Sequence, residues 1–329
     1  MKPAPALVAR AGAAPVSISL VLGAGGARGY AHIGAIEELE AQGFRIRSIA
    51  GSSMGALIGG IHATGKLDVY RDWVRPLQKF DVLRLLDWTL SGGGFIKGDR
   101  IIGVLRELIG DIDIEALPIA YTAVAVDLEA QREVWFSRGP LFDAIRASIA
   151  IPTLLRPSHH EGRLLVDGGL LNPLPVAPTL RDFTDLTIAV DVNGPADVPV
   201  GDVDGESVPP HPAEHAVPAA LLPRPLQAYA QRIAEFIDAH TERKAAPHGP
   251  SDPSVFDLLG RSFDLVQTTI TRLKLAAQPP DLLVSIPRNA CAFYEFYRAD
   301  ELITLGRLQT RATLARWRES AAAGNASPK

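Results

Sequence analysis

The 329-residue chain has one cysteine, Cys291, which excludes an intramolecular disulfide framework and a zinc site made of thiolates alone. The residue is expected to be a small buried hydrophobe. An excess of either charge is also missing: 33 Lys and Arg stand against 37 Asp and Glu, for a net charge of -4, and the isoelectric point is about 6.1. Without a basic footprint, nucleic acid is set aside as a partner. No apolar run approaches the roughly 20 residues that span a bilayer. Prolines and an arginine interrupt the amino-terminal stretch before Ser17, so it does not read as a signal peptide. No cluster of His, Asp and Glu falls at metal-ligand spacing, so neither a metal nor another cofactor is expected. These absences describe a soluble, cytoplasmic protein, at most peripheral to the inner membrane surface.

What is present is a core. The chain is 47% hydrophobic, enough for one large domain. "SISLVLG" (17–23), "FRIRSIA" (44–50), "IAYTAVAVD" (119–127), "EVWFS" (133–137), "LTIAVDV" (186–192) and "DLLVSIP" (281–287) read as strands. Helical patterns separate them, from about Gly29 to Ala41, after Met54 as far as Gly65, at 101–109 and at 141–149. This alternation predicts an α/β three-layer sandwich around a mostly parallel sheet. From 194 to 254 the composition shifts: this stretch holds eleven prolines, broken by one helical pattern at 226–240. It reads as a mobile insertion in a single domain spanning 17–320, whose core is 17–194 and 254–310, with flexible tails at 1–16 and 321–329. Two amphipathic helices, 254–276 and 299–320, bracket the last strand. Their arginines are expected on solvated faces, with contact to anionic lipid as the alternative.

Three short stretches carry chemistry. The first, "GAGGARG" (23–29), follows a strand and opens a helix. It misses the dinucleotide-binding spacing, because Arg28 stands where the third glycine belongs. Successive N–H groups around Gly25, Gly26 and Ala27 can instead form an anion-binding nest, with Arg28 steadying the turn or attracting a lipid phosphate. The second, "GSSMG" (51–55), lies between a strand and a helix, the context of a nucleophile elbow at Ser53. Gly51 and Gly55 would let strand and helix approach closely. The third, "LLVDGGLLNPLPV" (164–176), ends a short strand on Asp167, followed by Gly168 and Gly169. Taken singly each stretch is weak, since Gly/Ser turns and Asp-Gly turns are common.

Taken together, and with "LVLGAGGARGYAHIGAIEEL", "ASIAIPTLL" and "LTIAVDVN", they resemble the patatin-like phospholipases, most of all the bacterial proteins similar to the catalytic domain of neuropathy target esterase. The resemblance covers roughly 17–194 and 254–310. It implies a patatin-like α/β fold and a lipid acyl hydrolase acting on a phospholipid or lysophospholipid. Ser53 is then the nucleophile, Asp167 the general base and acid, and the Gly25–Gly26 turn, with Ala27 and Arg28, the oxyanion hole; Gly23, Gly29, Gly51, Gly55, Gly168 and Gly169 are motif glycines. One departure is Ala24, where the family usually has glycine. Alanine serves if only its N–H matters, and fails if a positive φ is needed. Two other readings stand beside this one. A Ser-His-Asp hydrolase of the α/β-hydrolase type needs a histidine after the acid, where only those of the 194–254 stretch remain; His159 and His160, just before Asp167, are the two placed where a triad could otherwise recruit them. The other is an inactive scaffold that binds lipid or a protein partner.

Overall fold

The computed structural model describes residues 15–87, 94–196 and 255–325. All but the first residues of the proline-rich stretch, together with its helical pattern, lie outside them. By its contacts the chain falls into two units, Met1–Glu206 with Gly260–Lys329, and Ser207–Leu259. The sheet belongs to the first.

The described residues form ten strands: β1 (Ser17–Leu22), β2 (Arg45–Ser52), β3 (Gly94–Ile96), β4 (Ala120–Asp127), β5 (Arg132–Phe136), β6 (Thr153–Leu155), β7 (Ser158–His160), β8 (Arg163–Asp167), β9 (Leu186–Gly194) and β10 (Leu282–Pro287). Among the same residues eight α-helices accompany them: α1 (Ala31–Ala41), α2 (Met54–Ala63), α3 (Leu67–Val74), α4 (Lys79–Leu85), α5 (Asp99–Ile109), α6 (Leu141–Ser148), α7 (Val255–Ala277) and α8 (Ala299–Asn325). The main sheet runs β10-β9-β1-β2-β4, all parallel, and β4 is also joined by antiparallel β5 and β8, with β7 beyond β8. β3 and β6 make a separate parallel pair.

The central strands are apolar because both faces are covered. On β1, Ile18, Leu20 and Leu22 enter the main core with Ile33, Ile36 and Ile58 from α1 and α2. Val21 points the other way, into a smaller cluster with Leu174, Val176 and Ala189, against which Leu275 of α7 also packs. Cys291 is buried, and burial pushes its thiol up to about 12, so it behaves as the small hydrophobe expected.

Candidate active site

Ser53 stands between β2 and α2 with φ 55 and ψ −124, a backbone conformation a side-chain-bearing residue adopts only under strain. Two glycines make the bend sterically possible. A Cβ on Gly51 would lie 2.4 Å from the Gly55 carbonyl oxygen, and one on Gly55 would lie 2.1 Å from that of Leu22. Holding the bend is a residue that sequence reasoning missed. The Ser53 N–H donates to Ser148 Oγ at 3.0 Å, and the Ser148 hydroxyl donates to the Val124 carbonyl at 2.6 Å. Ser148 closes α6, and an isolated serine at a helix end gives no periodic signal. Ser53 is also the residue from which α2 starts, so the positive end of that helix faces its side of the site.

How Asp167 reaches Ser53 follows from the register on β4. β2 pairs with Ala120–Val124, ending Ser52 opposite Val124. β8 pairs with Ala125–Asp127, its last residue, Asp167, opposite Ala125. β5 pairs with residues 123–127 and so overlaps both. β5 must therefore occupy one edge of β4, while β2 and β8 share the other, meeting end to end. A Cβ placed on Gly168 would sit 2.1 Å from the Val124 oxygen and 2.6 Å from Ser52 Oγ, which places the turn after Asp167 against the elbow.

The Asp167 carboxyl is fully buried. Its Oδ1 accepts the Gly169 N–H at 2.7 Å, while Oδ2 has no hydrogen-bond partner among the described residues. Burial raises its pKa from 3.8 to about 7, against the opposing pull of the nearby Ser53 hydroxyl and of the Gly169 N–H. The serine is thus close enough to act on the carboxyl electrostatically, although the rest geometry is looser than a made hydrogen bond. His159 and His160 lie elsewhere. They pair with Leu164 and Arg163, so His159 stands three residues back along β8, roughly 10 Å from Asp167. His160 packs edge-on against Phe136. Buried His32 spends Nε2 on the Gly23 carbonyl at 2.8 Å, and burial lowers its pKa to about 4.

The glycine turn follows β1. Gly23 and Ala24 donate their N–H groups to the carbonyls of Val190 (3.0 Å) and Pro173 (2.8 Å). Ala24 has no positive φ, so alanine fits where glycine is usual. Ala27 departs from the nest expected of it: its N–H donates to the Phe293 carbonyl at 2.8 Å. That leaves Gly25 and Gly26, whose buried N–H groups have no acceptor among the described residues. Arg28 is 1% exposed and so meets no lipid phosphate. It donates from Nε to the Gly25 carbonyl (3.2 Å), from one terminal nitrogen to the Arg288 carbonyl (2.9 Å) and from the other to Asp264 (2.8 Å).

Asp264 belongs to α7, which borders the site with its polar side. Gln267 and Thr271 are buried, and Lys274 pairs with Glu133 at 2.5 Å. Gln267 Nε2 lies 2.2 Å from where a Cβ on Gly169 would be, and Asp167 Oδ1 is 3.0 Å from that same point. The apolar side faces out: Leu265 is 68% and Leu273 69% exposed. Arg261 and Arg272 are exposed beside them, the solvated placement expected of this helix's arginines.

Ser53 itself is only 3% exposed. A cavity of about 430 Å³ lies away from it, lined by Ser48, Thr122, Glu115 and Asp182 among others. Among the described residues, no three of His, Cys, Asp and Glu stand together as a metal site would need, and no helix is long and apolar enough to cross a membrane.

Residues 20–180 match the family model described as "Patatin-like phospholipase". An uncharacterized NTE family protein of Mycobacterium tuberculosis (strain ATCC 25618 / H37Rv) is 41% identical over 341 positions, covering 94% of this chain and 95% of that protein. The protein named "Neuropathy target esterase sws" of Drosophila persimilis is 34% identical over 166 positions, 48% of this chain and 12% of that one. Among solved structures, VipD from Legionella pneumophila covers 92% of this chain and 67% of its own, at 14% identity and a TM-score of 0.40.

Proposed function

Because the chain belongs to the patatin-like phospholipase family, within its NTE group and among proteins that are generally lipid acyl hydrolases, we propose that it cleaves the carboxylic esters of phospholipids or lysophospholipids with Ser53 and Asp167 as a catalytic dyad. The observation that carries this reading is the end-to-end meeting of β2 and β8 on one edge of β4, which brings a strained serine beside a buried carboxyl.

Asp167 Oδ2 accepts the proton as Ser53 Oγ bonds to the ester carbonyl carbon. A free carboxylate is a poor base for a hydroxyl, but burial has raised the pKa of this one from 3.8 to about 7. The carbonyl oxygen becomes an oxyanion, which the Gly25 and Gly26 N–H groups and the α2 terminus stabilise. Collapse breaks the ester C–O bond, and the departing alcohol takes the proton from Asp167. Water then gives a proton to Asp167 and its oxygen to the acyl carbon. The second collapse returns the proton to Ser53 and frees the fatty acid. No step calls for a metal.

Approach to a lipid surface is assigned to the outward face of α7, where Leu265, Val266 and Leu273 are exposed and Arg261 and Arg272 stand beside them. Labelling with a fluorophosphonate tests the reading most directly. The expected adduct is on Ser53 and is absent from Ser53→Ala; labelling at another serine would replace the assignment.

A further inference from the structure

We infer that Asn193 is a positioning residue for the oxyanion hole, fixing the direction of the Gly25 N–H through the carbonyl on the other side of the same peptide unit. The inference rests on the Ser53 hydrolase reading and adds to it a residue outside the serine, aspartate and glycine motifs.

The argument begins with the planar peptide. In a trans unit the C=O of one residue and the N–H of the next lie in one plane and point in opposite directions, so holding one aims the other. The Ala24 carbonyl and the Gly25 N–H form such a unit. Asn193 Nδ2 donates to the Ala24 carbonyl at 2.7 Å. A carbonyl can only accept, so the amide group must turn its NH2 toward it. The Gly25 N–H then points away from Asn193, and it has no acceptor among the described residues. The next unit is held in the same way, since Arg28 Nε donates to the Gly25 carbonyl and so aims the Gly26 N–H. Both candidate donors are thus gripped from behind. Glycines at 25 and 26 permit many backbone directions, so a donor pair built on them needs such clamps to be preorganised.

Asn193 is itself held. It is 3% exposed near the end of β9, its own N–H donates to Asp191 Oδ1 at 2.9 Å, and its Nδ2 also donates to Gln267 Oε1 at 3.2 Å. Its Oδ1 has no partner among the described residues. A buried amide that leaves its acceptor unsatisfied while spending its donor on Ala24 and Gln267 is poorly explained by packing alone.

The test compares an ester with its thionoester, in which sulfur replaces the carbonyl oxygen and is a poor acceptor for N–H donors. Oxyanion-hole donors favour the oxygen substrate, so a misdirected donor lowers the oxo-to-thiono rate ratio, while general damage lowers both rates together. For Asn193→Ala and the volume-conserving Asn193→Leu, the expected result is a kcat lower by roughly a hundredfold, a KM within about threefold, and a ratio lower by at least roughly tenfold. Thermal melting checks that each is folded. An unchanged ratio in a folded variant overturns the inference. Should neither fold, Gln267→Leu, which removes the second acceptor of the Asn193 amide, must show a smaller shift of the same sign, and no shift there overturns it too. Failure of the underlying reading looks different: turnover would survive in Ser53→Ala.

Discussion

Ser53 follows the last residue of a strand that covers the first half of one β4 edge, and Asp167 is the last residue of a strand that covers the second half from the opposite direction. The two are 114 positions apart in sequence and adjacent only because β8 runs antiparallel. Each therefore sits at a strand end, where a side chain is free of the ladder yet fixed by it. The serine contributes a strained backbone and the aspartate a buried charge.

Removing the hydroxyl should remove the chemistry. Ser53→Ala is expected to lower short-chain ester hydrolysis by several orders of magnitude while leaving the melting temperature near that of the parent protein. Circular dichroism establishes the fold and an esterase assay the rate. Appreciable turnover by the folded variant would end the assignment.

Asp167→Asn should be inactive and more stable. The folded pKa of Asp167, about 7, lies above its unfolded value of 3.8, so its contribution to stability is present in full below about 3.8 and is lost as pH rises through about 7. At pH 8 the parent bears the cost of a buried charge, on the order of 4 kcal/mol for a shift of this size. Asparagine escapes it and still accepts the Gly169 N–H. The stabilisation, read from denaturant midpoints, should therefore shrink from pH 8 to pH 5. A variant less stable than the parent at pH 8 contradicts the buried-charge account.

The same carboxyl sets the activity profile. The dyad needs Asp167 ionised, so kcat/KM should rise with pH through about 7 and then level off. Replacing His159 and His160 together by Gln should leave both the rate, within roughly tenfold, and the inflection in place. A thousandfold loss in the double variant, or an inflection that vanishes with it, would assign the proton to an imidazole.

Exhaustive chelation should leave hydrolysis unchanged, because no group of three acidic, histidine or cysteine side chains stands together among the described residues. Loss of activity restored by added calcium would refute this.

Replacing Leu265 and Leu273 by Gln should reduce hydrolysis of lipid in anionic vesicles and spare that of a dissolved short-chain ester, since both side chains are exposed to solvent while Ser53 is buried. Equal losses on the two substrates would mean that these leucines serve the site and not a surface.

Much of this was legible in the sequence, and the rest was not for definite reasons. β1 and β4 are mostly apolar, and β2 alternates Arg45 and Arg47 with Ile46 before its buried end, so their existence followed from pattern and composition, and the glycines of 51–55 announced a close turn. The short β3, β6 and β7 carry three residues each, too few for a period to appear. Pairing partners cannot be read from one strand, so the end-to-end arrangement on β4 needed the register. For Arg28 the sequence offered a brace for the turn or a ligand for lipid phosphate; its contact with Gly25 is the brace, and the choice was hidden because its other partners, Arg288 and Asp264, are more than 230 positions away. The Ala27 N–H went to Phe293 for the same reason. For α7, the pattern specified two faces without saying which one turns inward.

That inward-turned polarity has a thermodynamic consequence. Residues 264–275 of α7 meet the site through Asp264, Gln267, Thr271 and Lys274, so separating this stretch from the sheet hydrates mainly charged and amide surface, with Leu275 the apolar exception. Hydrating polar surface lowers the heat capacity, whereas hydrating apolar surface raises it. An opening of the site along this helix should accordingly show a heat-capacity change near zero or negative, the opposite sign to global unfolding. Its population would vary steeply with salt and gently with temperature. Hydrogen exchange of the α7 amides, followed against both variables, separates such an opening from the melting of the core.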